Sequence, residues 1–167
     1  MKKIMKALSL AVMLALLVPG LLNAQSGKTN FSGTWAFNAE KSNLGDGGQG
    51  GGRGFGGGDM KVTQEGNNLT VATTRPGRDG GDPVTTTMKY TLDGKESVNT
   101  SQRGESKSTA AWTPDGKSIT IKTAQTFGDR TMNSTQTWTL NGANLQIERN
   151  MTTQNGDMKT TMVYDKK

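Results

Sequence analysis

The chain of 167 residues contains no cysteine and no histidine. Without cysteine there is no disulfide, no thiolate nucleophile and no residue to carry a lipid anchor. Without histidine the commonest general base and a principal zinc ligand are missing. No serine sits in a nucleophile elbow. Asp and Glu fall mostly in turns, where they serve turn geometry. No carboxylate pair has a spacing suited to acid–base work, and no loop has the ligand spacing of a calcium site. These absences argue against an enzyme, a metal or a cofactor. Aromatic residues are few, at 5%, so where they fall carries information.

Only one long apolar run is present. Lys2, Lys3 and Lys6 precede an apolar stretch from Ala7 to Leu22, and the small residue Ala24 precedes the polar run Gln25-Ser26-Gly27. That is the three-part pattern of a cleaved secretory signal. The unbroken apolar part, Ala7 to Val18, is short for a bilayer span. The expectation is a signal peptide over residues 1–24, no transmembrane segment after its removal, and a periplasmic or secreted domain over residues 25–167. The formal charge of +6 is spread as single Lys and Arg residues, and three lysines leave with the signal. No nucleic-acid patch is implied.

The rest is rich in Thr, Ser, Gly and Asn. Thr favours strands; Gly and Asn favour turns. Residues 45–58 form a Gly-rich insert with little to bury, expected to be a flexible surface loop. Its single Arg-Gly step falls short of an RNA-binding tract. Before and after it, ten candidate strands alternate with turn signals: 31–38, 59–65, 68–75, 84–92, 95–103, 106–113, 118–127, 130–140, 143–153 and 157–165. Gly66-Asn67, Asp93-Gly94, Asp115-Gly116 and Asn141-Gly142 mark one end of the sheet, and Gly104-Glu105, Gly128-Asp129 and Asn155-Gly156 the other. Asp-Gly and Asn-Gly are strong hairpin signals because both residues tolerate positive φ. The alternation is that of an antiparallel up-and-down meander.

A weak repeat supports it. Met88 to Gly94 is echoed by Ala110 to Gly116 and by Gln136 to Gly142, each with an aromatic residue just before a turn. Two-residue turns then predict the register. Trp112 faces Ile119, and Ile119 faces Trp138. Trp138 faces Leu145, Gln136 faces Ile147, Ser134 faces Arg149 and Met132 faces Met151. Ile147 faces Tyr164, and Arg149 faces Met162. One face collects nearly all the large apolar side chains, and the other is Thr, Lys, Asn and Glu. A slip of one residue would scatter them. With no helix to supply a second layer, closure into a barrel is expected.

Gly33-Thr34-Trp35 on the first strand is the Gly-x-Trp pattern of lipocalin-type barrels, and ten meandering strands ending near Tyr164 resemble the fatty-acid-binding-protein branch. Over most of residues 31–165 the chain is similar to lipocalin-like exported bacterial proteins. The resemblance implies an all-β barrel with Trp35 plugging its floor. It also has departures. The Gly-rich insert stands where fatty-acid-binding proteins carry a helical lid. Met162-Val163-Tyr164 stands where they carry Arg-x-Tyr, so their fatty-acid site is not carried over.

The predicted inner face is apolar near the aromatic layer and polar towards the other end. Arg149 points inward with no inward carboxylate beside it; Arg75 and Arg103 are placed inward nearer the rim. A buried guanidinium is costly without an anion, and methionines adapt to irregular ligands. The candidate ligand-binding residues are therefore Arg149, Thr123, Gln125, Ser134, Gln136, Met132, Met151 and Met162. Two readings stand at this point. One is non-catalytic binding of a small apolar or amphipathic molecule, with an anionic group near Arg149. The other is a structural or protein-interaction scaffold with no internal ligand.

Overall fold

The computed structural model describes residues 27–45, 57–77, 80–101, 104–128, 130–153 and 156–167. The expected signal peptide, most of the Gly-rich insert and Arg103 lie outside them. The described residues form ten strands: β1 (Gly33–Asn43), β2 (Asp59–Glu65), β3 (Asn68–Arg75), β4 (Val84–Thr91), β5 (Asp93–Ser101), β6 (Gly104–Trp112), β7 (Ser118–Phe127), β8 (Arg130–Asn141), β9 (Asn144–Thr153) and β10 (Gly156–Lys166). Among them no helix is long and apolar enough to cross a membrane.

All ten strands belong to one antiparallel sheet in the order β4-β3-β2-β1-β10-β9-β8-β7-β6-β5. Sequence neighbours pair except β4 and β5, and β1 closes onto β10, with Phe37 opposite Tyr164. The result is the expected meander, curled into a nearly closed barrel. Period-2 alternation sets what faces inward. Along β3 Leu69 and Val71 are buried, along β7 Ile119 and Ile121, and along β9 Leu145 and Ile147. Fully burying each such side chain contributes about 1.5–3 kcal/mol.

Two hairpin registers differ from expectation. Trp112 faces Ile119 and Ile119 faces Trp138 as predicted. Trp138, however, faces Ile147 rather than Leu145, Gln136 faces Arg149 rather than Ile147, and Ser134 faces Met151 rather than Arg149. The loop is Gly142-Ala143, closed by Asn141 opposite Asn144, not Asn141-Gly142. Gly142, with φ 61°, takes the first loop position, where positive φ suits glycine. This choice sets Leu140 against Leu145; the expected register would have set it against Ala143. The β9–β10 hairpin shifts likewise, so Ile147 faces Met162, Arg149 faces Thr160 and Met151 faces Met158. Moving a turn by one residue moves the register by two, so every side chain keeps its face.

The floor is built before the first strand. Thr29 donates its N–H to the Gly116 carbonyl (3.0 Å). Gln64 clamps the same segment, its Oε1 accepting the Phe31 N–H (3.0 Å) and its Nε2 donating to the Thr29 carbonyl (3.2 Å). Phe31 is thereby inserted between Trp112, stacked at 6.0 Å, and Trp138, edge-on at 6.2 Å. Trp35 is also buried and donates its indole N–H to the Phe31 carbonyl (3.1 Å). Gly33 lies two residues before it at φ 153°, where an added methyl group would meet the Trp35 indole at 3.5 Å.

At the other end of β1, the expectation of a uniformly loose Gly-rich insert fails at its last two residues. Gly58 is buried. A methyl group on Gly57 would overlap the Phe37 ring, and one on Gly58 would overlap the Thr74 carbonyl. These two glycines are packing residues, required by close approach rather than by freedom.

The seam between β4 and β5 carries no backbone ladder. Side chains of β5 bridge it instead. The Asn99 amide accepts the Lys89 N–H (2.8 Å) and donates to the Lys89 carbonyl (2.9 Å), as a peptide group of a neighbouring strand would. Ser97 Oγ accepts the Thr91 N–H (3.1 Å).

Candidate ligand-binding interior

Above the aromatic floor the inner surface changes character from one side of the ring to the other. Strands β6 to β8 bring a row of hydroxyls into register, Ser108 opposite Thr123 and Thr123 opposite Ser134. Ser108 and Thr123 share a hydrogen bond of 2.8 Å. Gln125 lies on one side of this row and Gln136 on the other, with Gln136 Oε1 accepting the Trp138 indole N–H (3.1 Å). The facing strands β1 to β3 present Phe37, Met60, Val62 and Val71, with Thr73 opposite Met60.

Thr123, Gln125, Ser134, Gln136 and Arg149 point inward yet keep part of their surface accessible to water, whereas Leu69, Ile119 and Leu145 keep none. A side chain that points into a barrel and still meets water lines space rather than packing.

Arg149 belongs to this accessible set, with its Nε buried. Strands β9 and β4 lie diametrically opposite in the ring, and the charge of Arg149 is felt across it by Tyr90. Burial pushes the Tyr90 phenol up to about 12, against the opposing pull of Arg149. Tyr90 is thus largely enclosed, and the surface it keeps borders the open depression over the β4–β5 seam. Burial also pushes the Tyr164 phenol up to about 12, and there the charge of Arg75 acts in the opposite direction. Arg75 itself is exposed at the rim. Glu148 points outward and pairs with Lys159 at 3.2 Å.

Most of the residues singled out from sequence come together. Thr123 faces Ser134, Ser134 faces Met151, Gln136 faces Arg149 and Gln125 faces Met132. Met151 is buried rather than available on the lining. Met162 stands apart, facing Ile147 and packed against the core. Sequence reasoning missed Asn99 and Ser106, both buried and opposite one another. The inward phase of Ser97-Val98-Asn99 was the available signal. Among the described residues no cluster of acidic side chains is placed to hold a metal ion.

Two open depressions mark the surface. One of about 240 Å³ lies along the β8–β10 rim beside Ser134, Met151 and Met158. The other, about 470 Å³, overlies the β4–β5 seam beside Lys89, Tyr90, Ser97 and Val98.

No family model matches the chain, and no curated protein matches it. Solved structures do. The zebrafish ileal bile acid-binding protein complexed with cholic acid matches with TM-score 0.57 and 20% identity, over 82% of this chain and 98% of that one. Fatty-acid-binding protein 1 of Echinococcus granulosus matches with TM-score 0.55 and 15% identity, over 81% and 96%. An abundant heat soluble (SAHS) protein of Ramazzottius varieornatus matches with TM-score 0.58 and 16% identity, over 82% and 95%. At these identities the likeness is one of fold, the ten-stranded barrel of the fatty-acid-binding-protein type.

Proposed function

We propose that this barrel is a non-catalytic carrier for one small apolar or amphipathic molecule with an acidic group, held with that group at Arg149 and its apolar body towards Trp112 and Trp138. The observation that carries the reading is the inward, water-accessible polar layer above a sealed aromatic floor. Two neighbours in fold, a bile acid-binding protein and a fatty-acid-binding protein, add support; fold alone does not fix function. The basic-then-apolar start of the chain supports an address outside the cytoplasm, which the intact mass of protein purified from the cell envelope checks: loss of residues 1–24 is expected, and a full-length mass contradicts it.

The test of the site is Arg149→Gln, titrated with an acidic amphiphile and its neutral methyl ester and followed by tryptophan fluorescence. Charge-assisted hydrogen bonds contribute about 1.5–3 kcal/mol, so the acid should bind on the order of tenfold more weakly and the ester nearly as before. Equal losses would show that Arg149 acts through packing. Failure of wild type to bind either would leave the scaffold reading in place of the carrier.

A further inference from the structure

Resting on the carrier reading, we infer that a ligand enters and leaves this barrel sideways, through the seam between β4 and β5, and that the Asn99 side chain is the latch on that entrance. Among the described residues the seam is the one place in the ring where neighbouring strands share no backbone ladder. β4 is laddered to β3 from Val84 opposite Arg75 to Thr91 opposite Asn68, and β5 to β6 from Asp93 to Ser101. Parting β4 from β5 leaves both ladders whole, whereas an opening elsewhere in the wall breaks one. The floor end of the seam is pinned. Leu92, between the two strands, is buried, and its N–H donates to the Asn67 carbonyl (2.7 Å). The strands are joined there as the arms of a V.

Above Leu92, side chains of β5 reach across. Asn99 holds both backbone groups of Lys89, and Ser97 Oγ accepts the Thr91 N–H. Such bonds are individually modest, and releasing them is a local event that unpairs no strand. The wall is also thin here. The depression over the seam is bordered by Lys89 and Val98, which point outward, and by Tyr90 and Ser97, which belong to the inward phase of their strands. A depression that touches inward-phase side chains has passed the level of the backbone. The Tyr90 ring in turn feels the charge of Arg149 across the barrel, so this ring lies between the outer depression and the interior. Val98 is 54% exposed at the lip, an apolar first contact for an amphiphile arriving from water.

The experiment uses the full chain and a fluorogenic acid, 8-anilinonaphthalene-1-sulfonate, with loading and release followed by stopped-flow fluorescence. Thr91 Oγ1 and Ser97 Oγ lie 3.5 Å apart across the seam, and the chain has no cysteine of its own. The pair Thr91→Cys, Ser97→Cys therefore offers one disulfide within the chain, across the seam. Oxidised, it should slow loading and release alike by about tenfold or more and leave the affinity within about threefold, because an entrance sets the rate of exchange and not its end states. Reduction should restore both rates. Asn99→Ala should move them the other way, both rising about fivefold, since losing the bonds that hold the seam shut favours its open form. An oxidised pair that exchanges probe as fast as the reduced one, or Asn99→Ala exchanging at the wild-type rate, overturns the inference and leaves the carrier reading standing, with entry at the rim. A loss of affinity at an unchanged loading rate would make the seam part of the binding site, and overturns it too. If wild type takes up no probe, the carrier reading falls and the inference with it.

Discussion

Tyr90 and Tyr164 are the only tyrosines in the chain, and burial holds both phenols neutral to about 12. A group whose pKa is raised on folding contributes stability that is fully present below its unfolded value and lost as pH rises through its folded value. The window here runs from 10.0 to about 12. Tyrosinate absorbance of the folded protein should stay flat through pH 11 and then rise together with loss of structure; in denaturant both phenols should ionise near pH 10. One phenol ionising near pH 10 in the folded chain would mean that its ring is not enclosed as described. Which rings turn inward was legible in the sequence, because Tyr90, Trp112 and Trp138 each lie just before a turn and Tyr164 lies on the apolar phase of the last strand. Phe31 as the floor plug was not legible as such. Its place between two indoles is fixed by Gln64 and Gly116, partners distant in sequence that no local pattern announces.

Strands and turns were legible for the same local reason: alternation sets the face, and Gly, Asn and Asp set the breaks. Register was legible only to within two residues, because Asn141-Gly142 and Gly142-Ala143 both make a two-residue loop and only the packing of Leu140 against Leu145 decides between them. The β4–β5 seam was not legible at all, since a side chain there does what a backbone does elsewhere. Asn99 is only 8% exposed and satisfies both backbone groups of Lys89. Asn99→Ala leaves these two groups without that partner, and such a loss in a buried setting costs about 1–3 kcal/mol. Hydrogen exchange at the Lys89 amide should accelerate well beyond that at Lys122, whose strand pairs by backbone on both sides. Unchanged exchange at Lys89 would show that the seam is held by something other than this amide.

For the molecule as a whole, closure depends on the long return from β1 to β2. Gly45 adjoins the Lys159 carbonyl, whereas Gly57 lies on Phe37, whose partner is Tyr164. From Lys159 to Tyr164 along β10 is roughly 17 Å at the usual rise of a strand. A fully extended chain covers at most about 3.6 Å per residue, so the connection needs about five residue steps simply to reach. Length beyond that is nearly free, because the entropy of closing a loop grows only logarithmically with its size. Removal of residues 48–51 therefore keeps ample reach and should change stability in a denaturant titration by less than about 0.5 kcal/mol. Removal of residues 47–55 leaves about three steps between the anchors, roughly 11 Å of reach. It must pull Gly57 off the Phe37 ring or strip the end of β1 from β10, at a cost of several times the first deletion. Should the longer deletion prove as stable as wild type, Gly45 and Gly57 are not the anchors of this connection. Should the shorter one unfold the domain, the Gly-rich tract does more than span the distance.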